Sequence, residues 1–171
     1  MFELTRYRTF GARFWAALVD GIVFVPLGFV DELLLAPGRP SWVIATWAAV
    51  SYSSYWLYSV LLHARFGQTV GKKLLRVKVL DVGEAAVPSL RQAFLRDIGL
   101  VVLNTTTVTY VICLIFTVGY TSDGAVAGLP GELIMWAGMG WLALELLTML
   151  TNGKRRALHD YIAGTVVVRD A

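Results

Sequence analysis

Cysteine is nearly missing from this sequence, and so are the patterns that usually announce chemistry. The single Cys113 excludes an intramolecular disulfide, and its apolar neighbours predict a buried thiol. With only two histidines and no CxxC or HxxxH pair, neither a metal site nor a cofactor motif is indicated. His63 and His159 have no partners at motif spacing, and no nucleophile–base constellation marks an enzyme. His63 reads as an interfacial polar residue at the end of an apolar run. No aromatic residues are interleaved through a basic patch, which argues against nucleic acid as a partner. No small-residue cleavage site follows a short apolar core, so the first helix is expected to stay as an uncleaved anchor. Charge is scarce as well. Charged residues make up 16% of the chain and hydrophobic ones 57%, with mean hydropathy +0.63. A soluble domain of 171 residues needs more charge to cover its surface.

What is present are apolar runs long enough to cross a bilayer, for which about 20 residues suffice. They predict one domain, residues 1–171: an all-α membrane protein, a bundle of four transmembrane helices whose principal partner is the lipid bilayer. The spans fall at about residues 14–35, 42–62, 98–120 and 133–150. Pro26 lies inside the first and predicts a kink past mid-membrane. Asp31, Glu32, Pro37, Gly38 and Pro40 read as the loop that follows. Serines and tyrosines in the second span, and the threonines after Asn104 in the third, supply hydroxyls for bonds across or along helices. Residues 121–132 form a Gly-rich acidic loop.

Two stretches between and after the spans change character. Val77 and Val79 alternate with Arg76 and Lys78, a half-buried strand within 74–81, with a turn at Val82, Gly83 and Glu84. Ser89 is placed to cap a helix that carries Arg91 and Arg96. A short helix at about 156–163 should end at Gly164, and 165–168 reads as a second strand that pairs with the first. Segments 1–13, 64–97 and 151–171 hold three, seven and four Lys or Arg, fourteen of the chain's fifteen. The positive-inside rule then puts both termini in the cytoplasm, with the small β element beside them.

Charges inside the spans are the candidate functional residues. Arg13 and Asp20 are seven residues apart, on almost the same face of the first helix and about 10.5 Å apart along its axis. Asp20 has two readings: polar glue between helices, or a carrier of a proton or cation. Asp20, Asn104 and Glu145 each lie roughly 8–9 Å below the cytoplasmic interface, a candidate shared polar layer. Facing each other in a dry site, Asp20 and Glu145 would not both stay ionised, so one would hold a proton or a cation would sit between them. Alternatively Glu145 reaches headgroup water.

Three blocks, FGARFWAALVDG, GQTVGKKLLRVKVLD and ALHDYIAGTVVV, together resemble the RDD family of bacterial membrane proteins. Matched by position, the arginine and two aspartates for which that family is named are Arg13, Asp20 and Asp160. Glu145 and Asn104 lie outside that pattern. The resemblance implies a multi-span protein of the bacterial inner membrane, some of whose relatives are associated with cation/proton antiport. It also singles out Asp160, which, paired with Arg13, would clamp the C-terminal segment to the foot of the first helix. Two functions follow as expectations. The first is exchange of a monovalent cation for a proton through Asp20, in a homo-oligomer because four spans make a slender pathway. The second is a non-catalytic accessory or assembly role in a larger membrane complex.

Overall fold

The structure, a computed structural model, describes residues 5–117 and 129–170. The first expected span is two helices, α1 (Phe10–Val23) and α2 (Val25–Leu34), interrupted at Phe24. Pro26 sits in the first turn of α2, where its missing N–H costs nothing. The interruption therefore lies just before the proline. The loop signals in the sequence pull the boundary too early: Asp31 and Glu32 are inside α2, and only residues 35–40 are loop.

Helix α3 (Ser41–Phe66) ends at Gly67, whose φ of 70° turns the chain in the left-handed region. A short helix α4 (Val70–Leu74) and strand β1 (Val77–Asp81) follow. Helix α5 (Leu90–Arg96) starts with a Ser89–Gln92 capping box. The long helices α6 (Ile98–Thr117) and α7 (Leu129–Thr151) come next, then α8 (Leu158–Ala163) and β2 (Thr165–Arg169). Residues 118–120 of the expected third span, and most of the Gly-rich loop, lie outside the described residues.

The two strands pair antiparallel, Val77 opposite Arg169 and Asp81 opposite Thr165. β1 begins at Val77, not at residue 74, because α4 runs through Leu74 and Arg76 takes a φ of 52°. Val77, Val79 and Val167 bury against Ala12, so the sheet lies on the foot of α1. A second core joins α3 to α6 through Ile44, Ala48, Val111 and Ile115. Cys113 falls between those inward positions and is exposed, against the expectation of a buried thiol. Gly99 lets α6 approach α7, since a Cβ there would sit 2.3 Å from the Trp141 ring.

Helices Ile98–Thr117 and Gly131–Thr151 are each long and apolar enough to cross a membrane. Only 17% and 11% of their most apolar windows are buried within the chain, so neither is the core helix of a soluble protein. Neither half of the first span is long enough alone, and the serines and tyrosines of α3 lower its hydropathy. Phe14, Trp15, Ile22, Phe29, Trp42 and Trp136 all point outward, an apolar exterior suited to lipid.

Candidate functional site

Asp20 sits at the start of the glycine-flanked block. Past Gly67 the chain reaches Thr69, which opens α4 and leaves its first N–H groups unpaired. Gly71 N donates to Asp20 Oδ1 at 2.7 Å, and Thr69 Oγ1 donates to Oδ2 at 2.6 Å. Tyr58 OH donates to Oδ1 at 2.8 Å and accepts from Val70 N at 2.9 Å. Gly71 is required because a Cβ there would meet the Ala16 carbonyl oxygen at 2.1 Å. The carboxylate, 2% exposed, is thus an anion held by three donors at a helix start.

Asp160 is a second node, fully buried. Arg13 Nη2 lies 2.5 Å from Oδ2, and Arg96 Nη1 bonds Oδ1. Ala157 N adds 3.0 Å to Oδ2, and Thr165 Oγ1 3.2 Å to Oδ1. Burial alone would raise the Asp160 carboxyl, but Arg13 and Arg96 outweigh it and hold it well below the usual carboxylate range. Arg13 also donates to the Arg155 carbonyl at 3.0 Å, and Arg156 to the carbonyls of Thr165 and Asp160 at 2.9 and 2.8 Å. The foot of α1, α5, α8 and β2 are tied together here.

Between these nodes and α7 opens a cavity of about 470 Å³. Its walls include Phe14, Leu100 and Trp141, and its polar lining includes His63, Lys72, Asp97, Glu145 and His159. His63, expected at the interface, is instead buried between Ser59 Oγ at 3.1 Å and Lys72 Nζ at 2.5 Å. Burial, then the charges of Arg96 and Arg13, push the Lys72 ammonium well below its ordinary value. On the other side His159 Nε2 faces Arg13 Nη2 at 3.3 Å. A guanidinium only donates, so in the neutral ring the proton is on Nδ1. Nδ1 lies 2.5 Å from Glu145 Oε2, close but without an aligned hydrogen bond. Burial lowers the His159 imidazole, favouring that neutral ring.

Four buried side-chain oxygens among the described residues lack a hydrogen bond, and three of them belong to Glu145 and Asp97 in this cavity. Glu145 is 8% exposed, so it does not reach outward to headgroup water. Among the described residues no three His, Cys, Asp or Glu converge as a metal site.

The residues singled out in the sequence thus fall at separate places. Arg13 and Asp160 meet. Asp20 bonds to α3 and α4, Glu145 faces His159, and Asn104 Nδ2 donates to the Tyr52 carbonyl at 3.1 Å. No contact joins the last three into one layer, because equal depth does not fix the direction a side chain takes around its helix. Arg96, Lys72 and the two histidines were passed over: as cytoplasmic-side charges they were accounted for by orientation. The available signal was Lys72 and Arg96 lying inside blocks otherwise built to be buried.

A model described as the RDD family matches residues 7–164. No curated protein and no solved structure matches the chain. The match covers nearly the whole chain, which therefore belongs to the RDD family and is a membrane protein.

Proposed function

We propose that this RDD-family chain exchanges a monovalent cation for a proton across the bacterial cytoplasmic membrane, and that Glu145 with Asp97, not Asp20, is its exchange site. The observation that carries the reading is the three unpaired carboxylate oxygens facing one cavity of about 470 Å³. A buried carboxylate without donors is stabilised by gaining a proton or a cation, and the two ligands compete for it. Asp20 has already met its need through three donors, so protonating it would break contacts that hold α4. Its role is to pin the glycine-flanked block to α1. Four spans, with both termini cytoplasmic, fit fourteen of fifteen Lys and Arg lying on one side. In that arrangement the cavity lies on the cytoplasmic side, with the Asp160 cluster as its floor.

The test is flux in proteoliposomes that carry an internal pH dye, pulsed with Na⁺, K⁺ or Li⁺. A cation-driven pH change should survive Asp20→Asn in whatever protein remains folded and disappear in Glu145→Gln. Loss in Asp20→Asn alone would return the site to Asp20. A folded wild-type protein without flux would overturn exchange and direct attention to copurifying partners, the accessory role.

A further inference from the structure

The bundle holds a second cavity, of about 360 Å³, in its other half. Asp31, Ser51, Asn104, Tyr52 and Tyr55 line it, with Leu35 and Leu100. Asp31 lies eleven residues beyond Asp20, about 16 Å farther along the first span at 1.5 Å per residue. Trp47 Nε1 donates to Asp31 Oδ1 at 2.7 Å and Ser51 Oγ to Oδ2 at 3.0 Å. Two donors leave about two of the four carboxylate lone-pair positions open. Asn104 uses its Nδ2 on the Tyr52 carbonyl, so its Oδ1 is left as an acceptor. No Lys, Arg or His lines this space. Its chemistry is one carboxylate with neutral oxygens around it, which suits a small hard cation of single charge.

Two residues, Tyr55 and Leu100, line both this cavity and the one around Glu145. They are the partition between the two. Tyr55 packs on Phe24, at the interruption between α1 and α2, with ring centroids 5.3 Å apart. Phe24 in turn meets Tyr58, the residue bonded to Asp20, at 5.2 Å.

We infer that the cavity around Asp31 is a binding site for a small monovalent cation, and that Tyr55 and Leu100 form the barrier between it and the Glu145 cavity. The site stands on its own oxygen chemistry; the barrier rests on the exchange reading above. The break at Phe24 lets α2 shift against α1 without disturbing the Asp20 pin, so the barrier opens at Tyr55 while the cytoplasmic floor stays assembled.

Trp47 reports on the site because its indole is bonded to the carboxylate. Purified full-length protein in detergent is titrated with NaCl, with choline chloride as the control, while tryptophan emission is followed. Trp47→Phe identifies which of the six tryptophans responds. The expected result is a saturable change with Na⁺ and none with choline, weakened at least tenfold by Asp31→Asn and restored in part by Asp31→Glu. In liposomes, Tyr55→Ala should carry Na⁺ flux that is no longer matched by proton movement. A wild-type titration unchanged in Asp31→Asn overturns the site, as does a transporting wild-type protein that shows no titration. Tyr55→Ala with coupling intact overturns the barrier. Saturable, Asp31-dependent binding in a protein without flux supports the site and overturns exchange and barrier together.

Discussion

Asp20 and Glu145 are both buried carboxylates, 2% and 8% exposed, and each lies on a helix with an apolar exterior. Their surroundings differ in the number of donors. Asp20 receives a backbone N–H and two hydroxyls, whereas neither Glu145 oxygen has an aligned hydrogen bond. Burial of an acid is therefore a poor guide to its role here. A carboxylate supplied with donors is a structural anion, and one left without them is poised to take a ligand.

The largest test of that contrast removes the anion with the most partners. Asp160→Asn leaves Arg13 and Arg96 buried without a counter-charge and should cost about 3–5 kcal/mol. Chemical unfolding followed by tryptophan emission would show it, and a loss below about 1 kcal/mol would mean that the cluster is not what ties α1 to α8. Gly71→Ala comes next. Its Cβ cannot coexist with the Ala16 carbonyl, so α4 must retreat and the bond to Asp20 lengthen, at about 3 kcal/mol. A Gly71→Ala protein as stable as wild type would show that α4 is free to shift.

The direct comparison is Asp20→Asn beside Glu145→Gln. The first places an amide against donors and should lose about 2 kcal/mol of stability while sparing exchange. The second should leave stability within about 0.5 kcal/mol and abolish exchange. The reverse pattern would interchange the two roles.

Acid should act more gently. The folded His159 imidazole and Lys72 ammonium are both lowered, so the unfolded chain binds protons first as pH falls. The His159 contribution is complete above about 6.5 and is lost below it, toward the lowered folded value. Lys72 acts from about 10.4 downward, so stability should climb with pH through the alkaline range. Asp160 adds stability above about 3.9 that disappears only as pH falls through its depressed folded value. Melting temperatures measured from pH 5 to pH 9 should rise, and His159→Gln should flatten the acidic part of the curve.

Much of the scaffold was legible because its signals are local. The alternation of Val77 and Val79 with Lys78 marks β1, Gly67 and Gly164 mark helix ends, and Ser89 with Gln92 marks the start of α5. Pro26 foretold the break in the first span. The pairing of Arg13 with Asp160 came from the family resemblance, since nothing local joins residues 147 positions apart. The site was less legible. Depth along a helix can be counted, but the direction around it depends on neighbours, so Asp20, Asn104 and Glu145 looked like one layer and bond to three different places. Asp31 was hidden by adjacent loop signals at Pro37, Gly38 and Pro40, which drew a helical residue into the loop.

The ion cluster at Asp160 also has a consequence for biogenesis. Arg13 emerges first and its counter-charge is made last. At ribosomal speeds the guanidinium waits on the order of ten seconds for its partner. During that interval the first hairpin must be held by Asp20 and the Thr69–Gly71 turn alone, whose partners are complete once residue 71 is made. Insertion can then proceed from a locally finished amino-terminal unit. The carboxyl-terminal helix and strand act as a latch that closes after the last span is in place, so a chain stalled before Asp160 would be inserted but unlatched.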